Sequence, residues 1–192
     1  IAAGNRLWNP VTGEIHRELP FFAMNLRFSS DGSLLVITDE TRIHAIRVES
    51  GETAWEHTQV EQGDASDFSS IRSLAISPDA KWVAAGEGGS RGGWLEPRQP
   101  VGGRIVVYDA TNGETAAEFV YDGDGKRVKS TVGSTTTIFI GNYYEWESST
   151  TRKYYFAGTQ RIAMREGEAL YYLFGDHLGS STVTAVPASA VV

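Results

Sequence analysis

Apolar and polar positions along this chain change in short blocks that suit strands and turns rather than helices. The clearest block occurs three times. It reads Leu7-Trp8-Asn9-Pro10-Val11-Thr12-Gly13-Glu14, then Ile46-Arg47-Val48-Glu49-Ser50-Gly51-Glu52, then Val107-Tyr108-Asp109-Ala110-Thr111-Asn112-Gly113-Glu114. Each copy is an apolar strand end, a polar turn with Gly in its last part, and a Glu that opens the next strand. A supersecondary unit repeated along a chain sets its architecture. The pattern predicts an all-β protein. Helix-period patterning is almost absent, and even residues 115–119 read as strand.

The copies are unevenly spaced. Gly13 and Gly51 lie 38 residues apart, and Gly51 and Gly113 lie 62 apart. A second marker locates the difference. Phe28-Ser29-Ser30-Asp31-Gly32-Ser33-Leu34-Leu35-Val36 matches Ile76-Ser77-Pro78-Asp79-Ala80-Lys81-Trp82-Val83-Ala84, each a strand, a tight turn and a strand. The excess divides into insertions of 10 and 14 residues. The first falls in the acidic stretch around Glu61-Gln62-Gly63-Asp64-Ala65-Ser66-Asp67. The second falls within residues 86–100, rich in Gly and Pro. Both read as loops, because Gly and Pro interrupt strands and small polar residues suit turns.

Three features together resemble WD40-like and looser bacterial β-propeller repeats: the spacing, the Ser-x-Asp-Gly turn and the closing Gly-Glu turn. Phe28-Ser29-Ser30-Asp31-Gly32 and Ile76-Ser77-Pro78-Asp79 are close to the family's turn motif. Trp8 and Tyr108-Asp109 stand where the family carries its Trp-Asp pair, while its Gly-His signature is missing. The resemblance covers residues 1–119. It implies propeller-blade-like antiparallel sheets, as the end of one blade and two full ones. Closed propellers use four to eight blades. The array is therefore expected to be incomplete or completed by other subunits, and the chain to be a fragment of something longer.

From about Val120 the pattern changes. Tyr121-Asp122-Gly123-Asp124-Gly125-Lys126-Arg127 is followed by Gly141-Asn142-Tyr143-Tyr144-Glu145 and Lys153-Tyr154-Tyr155-Phe156-Ala157-Gly158. Then come Arg161-Ile162-Ala163-Met164-Arg165 and Leu170-Tyr171-Tyr172-Leu173, closing on Gly175-Asp176-His177-Leu178-Gly179-Ser180. This ordered series resembles the YD-repeat (RHS) family over residues 120–185. The residues also read as hairpins on their own. Short runs of aromatic and β-branched residues favour strands, and Gly-containing turns recur about every ten residues. Paired aromatics are expected to stack across the ladder. Two domains follow: residues 1–119, propeller-like, and 120–192, YD-type hairpins.

Composition narrows the partners. There is no Cys, so disulfides and Cys-bound metals are excluded. The formal charge of −7 argues against nucleic acid. No stretch approaches the roughly 18 apolar residues of a membrane span. The apolar, Pro-interrupted run 183–192 reads as a terminal strand or a loose end.

The candidate chemistry is sparse. His16, His44, His57 and His177 are scattered, without the spacing of convergent metal ligands. Asp176, His177 and Ser180 are neighbours in one turn, whereas a catalytic triad assembles from distant segments. The resemblance gives this motif a packing role and puts the self-cleaving Asp of the family further downstream. Asp122-Gly123-Asp124-Gly125 looks like the start of a calcium loop, but its twelfth position is Gly133 rather than Glu. A type I′ turn is the simpler reading. Asp64 and Asp67 read as solvated loop carboxylates. The expectation is therefore no enzyme, no metal and no cofactor.

The best candidate binding surface is the long loop at residues 86–103. It presents Arg91, Trp94 and Arg98, residue types common at interface hot spots. Open sheet edges are the other candidate, because unpaired strands pair with other chains. The sequence reading is a non-enzymatic structural or protein-interaction module of a bacterial surface or secreted assembly. It would bind protein partners or itself through open edges, with no nucleic acid and no membrane span. The alternatives are a fragment of a YD-repeat toxin-delivery shell and an accessory subunit of a larger complex.

Overall fold

The computed structural model describes residues 2–3, 5–9, 11–19, 22–58, 67–91, 99–175 and 181–185. These residues contain strands and turns and no helix. The chain divides into two compact units, Ile1–Gly125 and Lys126–Val192.

The first unit holds three groups of antiparallel strands. β1 (Ala2–Ala3), β2 (Arg6–Trp8) and β3 (Ile15–Glu18) form a three-stranded sheet. β4 (Asn25–Phe28), β5 (Leu34–Thr38), β6 (Arg42–Arg47) and β7 (Thr53–Thr58) form a four-stranded one. β8 (Asp67–Ile76), β9 (Trp82–Arg91), β10 (Gln99–Asp109) and β11 (Thr115–Tyr121) pair in the same sequential order. A four-stranded up-and-down sheet is the form of a propeller blade. The fold is all-β and blade-like, as the pattern predicts.

The β4–β7 sheet buries both faces. Strand alternation sends Leu35 and Ile37 one way and Val36 the other. On one side Leu35, Ile37 and Ile46 meet Leu7 of the first sheet and Leu19 just past it. On the other side Val36, Ile43, Ala45 and Trp55 meet Ile71, Leu74, Val83, Ala85, Val106 and Tyr108. Two apolar layers therefore hold three sheets in series.

The threefold sequence repeat is a repeat of hydrogen bonds. Gly13, Gly51 and Gly113 donate their N–H to the carbonyls of Asn9, Arg47 and Asp109 at 2.9, 2.7 and 2.9 Å. The N–H groups of Asn9, Arg47 and Asp109 in turn reach the carbonyls of Glu14, Glu52 and Glu114. The three glycines have φ of 71°, 72° and 77°, a left-handed conformation that side chains resist. The second marker repeats as closely. Ser29 and Ser77 donate their hydroxyls to Asp31 and Asp79 at 2.5 and 2.6 Å. The fourth position of this turn is left-handed in both copies: Gly32 at 74° and Ala80 at 55°.

Three local expectations change. Residues 86–103 are not one loop: β9 runs on to Arg91 and β10 begins at Gln99. The glycines that suggested a loop sit where strands approach closely. A Cβ at Gly103 would lie 2.7 Å from the carbonyl oxygen of Glu87, and one at Gly86 would meet the Ser73 hydroxyl. Asp67 belongs to a strand, opposite Arg91, and Asp64 lies outside the described residues. The turn at Asp122 is not type I′. Gly125 alone is left-handed there, at 78°, and donates to the Asp122 carbonyl at 3.0 Å.

The second unit is an antiparallel meander: β12 (Arg127–Val132), β13 (Thr135–Ile140), β14 (Tyr144–Glu147), β15 (Thr150–Ala157), β16 (Gln160–Glu166), β17 (Ala169–Gly175) and β18 (Ser181–Ala185). Four of its hairpins close with two residues. Their first turn residue is left-handed: Gly133 at 56°, Ser148 at 53°, Gly158 at 60° and Gly167 at 57°. Glycine in that slot is the requirement of a II′ turn, whose twist matches that of paired strands.

Tyr143 meets Phe156 edge-on at 5.1 Å between ring centroids, as expected of neighbouring aromatics, but the doublets Tyr154-Tyr155 and Tyr171-Tyr172 do not stack on each other directly. Tyr154 and Tyr171 flank Met164, and Tyr155 and Tyr172 flank Ala163. One whole strand separates the doublets, so their backbones lie roughly 10 Å apart.

Candidate functional site

Register and strand alternation sort the second unit's side chains onto two unlike faces. On one face Arg152 Nε meets Glu166 Oε2 at 2.6 Å, with Glu147 and Glu145 at 3.9 and 4.0 Å from Nη1. The hydrogen bond to Glu166 comes first in holding the Arg152 guanidinium above its usual pKa, and burial works against it. Thr137 donates to Glu147 at 3.0 Å. Arg161 lies 3.9 Å over the ring of Tyr154, and Arg127 lies 4.5 Å over that of Phe139. Cross-strand ion pairs and cation–π contacts engage the polar groups of this face.

The other face is open and mixed, with apolar and aromatic side chains on either side of a cross-strand row of Tyr144, Lys153 and Arg165. Ile140 pairs with Tyr144, Trp146 with Ile138, and Tyr155 lies in a row with Ala163 and Tyr172. Ile140 is 61% exposed and Trp146 44%, and Tyr155, Tyr172 and Phe174 are also exposed. The row of Lys153 and Arg165 separates Trp146 from the row of Tyr155 and Tyr172, and exposed aromatics grouped with cations on one sheet suit a binding surface.

The first unit carries a cleft of ≈ 440 Å³ lined in part by Arg72, Ser73, Gly86, Gly88, Gly103 and Tyr121. Within its lining, Arg104 is engaged by two carboxylates. Its Nε and Nη2 bond Glu87 at 2.9 and 3.3 Å, and Nη1 bonds Glu118 at 3.0 Å. Burial opposes the charge of Arg104, and these hydrogen bonds more than offset it, so its pKa stands above the ordinary value. The close strand contacts already described explain Gly86 and Gly103, so the cleft is first a consequence of packing.

Of the residues the sequence nominated, Arg91 has its backbone at the end of β9, opposite Gln99 and Asp67. Trp94 and Arg98 lie outside the described residues, as does His177. The other histidines do not converge. His16 is exposed. His44 is buried, with Nδ1 3.1 Å from Glu56. His57 stacks on Tyr108 at 5.1 Å between ring centroids, and its Nε2 lies 2.7 Å from the Gly113 carbonyl. Burial pushes the Tyr108 hydroxyl up to about 12. Among the described residues no group of three or more His, Asp or Glu could hold a metal ion. The apolar residues of the open face were present in the sequence as Ile138, Ile140, Trp146, Tyr155 and Tyr172. Their exposure was not, because apolar residues occupy both faces of these strands.

No family model matches the chain, and a search of curated proteins finds no match. Among solved structures it is similar to a dihydro-heme d1 dehydrogenase, NirN, at 13% identity and a TM-score of 0.44. That match covers 96% of this chain and 41% of that one. It is also similar to a eukaryotic initiation factor at 13% identity and a TM-score of 0.37, covering 88% of this chain and 45% of that one. The chain thus spans less than half the length of either. At such scores neither likeness carries an argument about function.

Proposed function

We propose that this chain is a non-enzymatic β module that binds protein partners, other copies of itself included. The observation that carries the reading is the open face of the second unit, where Ile140, Trp146, Tyr155 and Tyr172 stand exposed on one side of a single sheet, together with Lys153. Large aromatics favour such a role because they bury much area for little loss of side-chain freedom. The YD-type series in residues 120–185 fits the same reading and adds a place, the bacterial surface or a secreted assembly.

Light scattering on the full chain tests it, alongside the Tyr155→Lys/Tyr172→Lys double variant. The expected result is concentration-dependent association of the full chain that the double variant loses while keeping its fold. A monomer near 20.9 kDa whose melting temperature falls in the variant would show the face covered within the chain. That outcome overturns the reading.

A further inference from the structure

The three equivalent turn glycines meet three different surroundings. At Gly113 a Cβ would lie 2.7 Å from the indole of Trp55 and 3.0 Å from Nε2 of His57. At Gly51 it would strike the guanidinium of Arg17. At Gly13 no described atom lies within 4 Å. Accordingly Gly113 is buried, Gly51 half-buried and Gly13 exposed.

The residues that cover these turns are equivalent too. Arg17 stands four positions past Gly13, and Trp55 four positions past Gly51. Each belongs to the last strand of its sheet, β3 or β7, and reaches over the turn of the following sheet. The rule is the same at both junctions: a long side chain four residues past one turn glycine covers the next turn glycine. Position 117, which follows Gly113 by the same interval, is Ala117, too short to do so.

The Gly13 turn is therefore an acceptor with the geometry of the other two and nothing described upon it. Around it Ile15 of β3 is 45% exposed and Val11 of the turn 91%, and the outward side of the sheet carries the exposed Arg6–Glu18 ion pair. We infer that this end of the first sheet receives a further antiparallel β-sheet of the same blade type, one whose last strand carries arginine or an aromatic residue over Gly13. A second copy of this chain docked through its β8–β11 sheet would offer Ala117 and does not meet that requirement. The inference rests on the interaction reading and names a partner for a different surface. Its test leaves the second unit untouched, so loss of association through that unit's open face and loss of contact at Gly13 are read separately.

The experiment extends the full chain with a copy of residues 1–38 ahead of Ile1. The added Gly13 then stands 38 residues before the native one, the interval between Gly13 and Gly51, and the added Arg17 falls due over native Gly13. The expected result is a higher urea midpoint than that of the unextended chain, returned to the original by Arg17→Ala in the added copy. Native Gly13→Ala should lower the midpoint more in the extended chain than in the unextended one. Equal midpoints, with Gly13→Ala shifting both chains alike, would overturn the inference. A second measurement stands if the added copy fails to fold. In the unextended chain Gly13→Ala should shift the midpoint least, and Gly51→Ala and Gly113→Ala more; three equal shifts would remove the distinction on which the inference stands. A dimer of the unextended chain that Gly13→Ala dissolves would assign the turn to a second copy, and also overturns it.

Discussion

The indole N–H of Trp55 donates to the carbonyl of Ala110 at 2.9 Å, across 55 residues of chain. The bond is buried, and the Trp55 ring lies 5.7 Å from that of Tyr108. One side chain thus satisfies a turn carbonyl of the next sheet and fills the apolar layer between the two. Trp55→Phe keeps most of the packing but leaves the carbonyl unmet, a loss of about 1–3 kcal/mol. Trp55→Ala adds a cavity and should cost about 3–5 kcal/mol. Urea unfolding of the three proteins would show whether the losses fall in that order; equal losses would mean that the hydrogen bond contributes nothing separable.

Ala80 holds φ of 55° in the slot that Gly32 fills at 74°. An L side chain resists that conformation. Ala80→Gly should raise stability by about 1 kcal/mol, and Gly32→Ala should lower it by about as much. Thermal melts of both variants check the pair, and destabilisation by Ala80→Gly would contradict the equivalence of the two turns.

Ser148 offers the same comparison in the second unit, at 53° where the other two-residue hairpins carry glycine. Ser148→Gly should stabilise the β14–β15 hairpin by about 0.5–1 kcal/mol. Hydrogen exchange at the amides of β14 and β15 would register it as slower opening.

His44 is buried, and burial comes first in lowering its pKa. Arg42 adds to the effect, while the carboxylates of Glu56 and Asp39 oppose it. A base whose folded pKa lies below its unfolded value adds stability that is present above the unfolded value, about 6.5, and is lost as pH falls through the folded one. Stability should therefore decline on acidification below about pH 6.5. His44→Gln should flatten that part of the profile, and an unchanged slope would place the titration elsewhere. Asp31 and Asp79, lowered first by the hydroxyls of Ser29 and Ser77, belong to a separate, more acidic window. Their contribution is present above the usual carboxylate range and is lost as pH falls below it.

Turns were the most legible part of the sequence. Gly13, Gly51 and Gly113 could be read because a left-handed turn imposes glycine locally, whatever lies around it. Gly86 and Gly103 misled for the complementary reason. Their glycines answer to Ser73 and to the Glu87 carbonyl, partners known only once β8, β9 and β10 are paired. The site was harder still. Ile140, Trp146, Tyr155 and Tyr172 are plain strand residues by pattern, and only the register shows that they share a side. The contact of Arg17 with Gly51 joins two sheets and has no local sequence signal.

Each strand of the second unit from β12 to β18 pairs in chain order, with no crossover. Contacts of such short range need little loop closure and form quickly. They also make the sheet a counted quantity. A hairpin gained or lost by recombination would lengthen or shorten it by about 10 Å without reordering the remaining strands, so the span of this unit is open to adjustment in steps while its pairing logic stays the same.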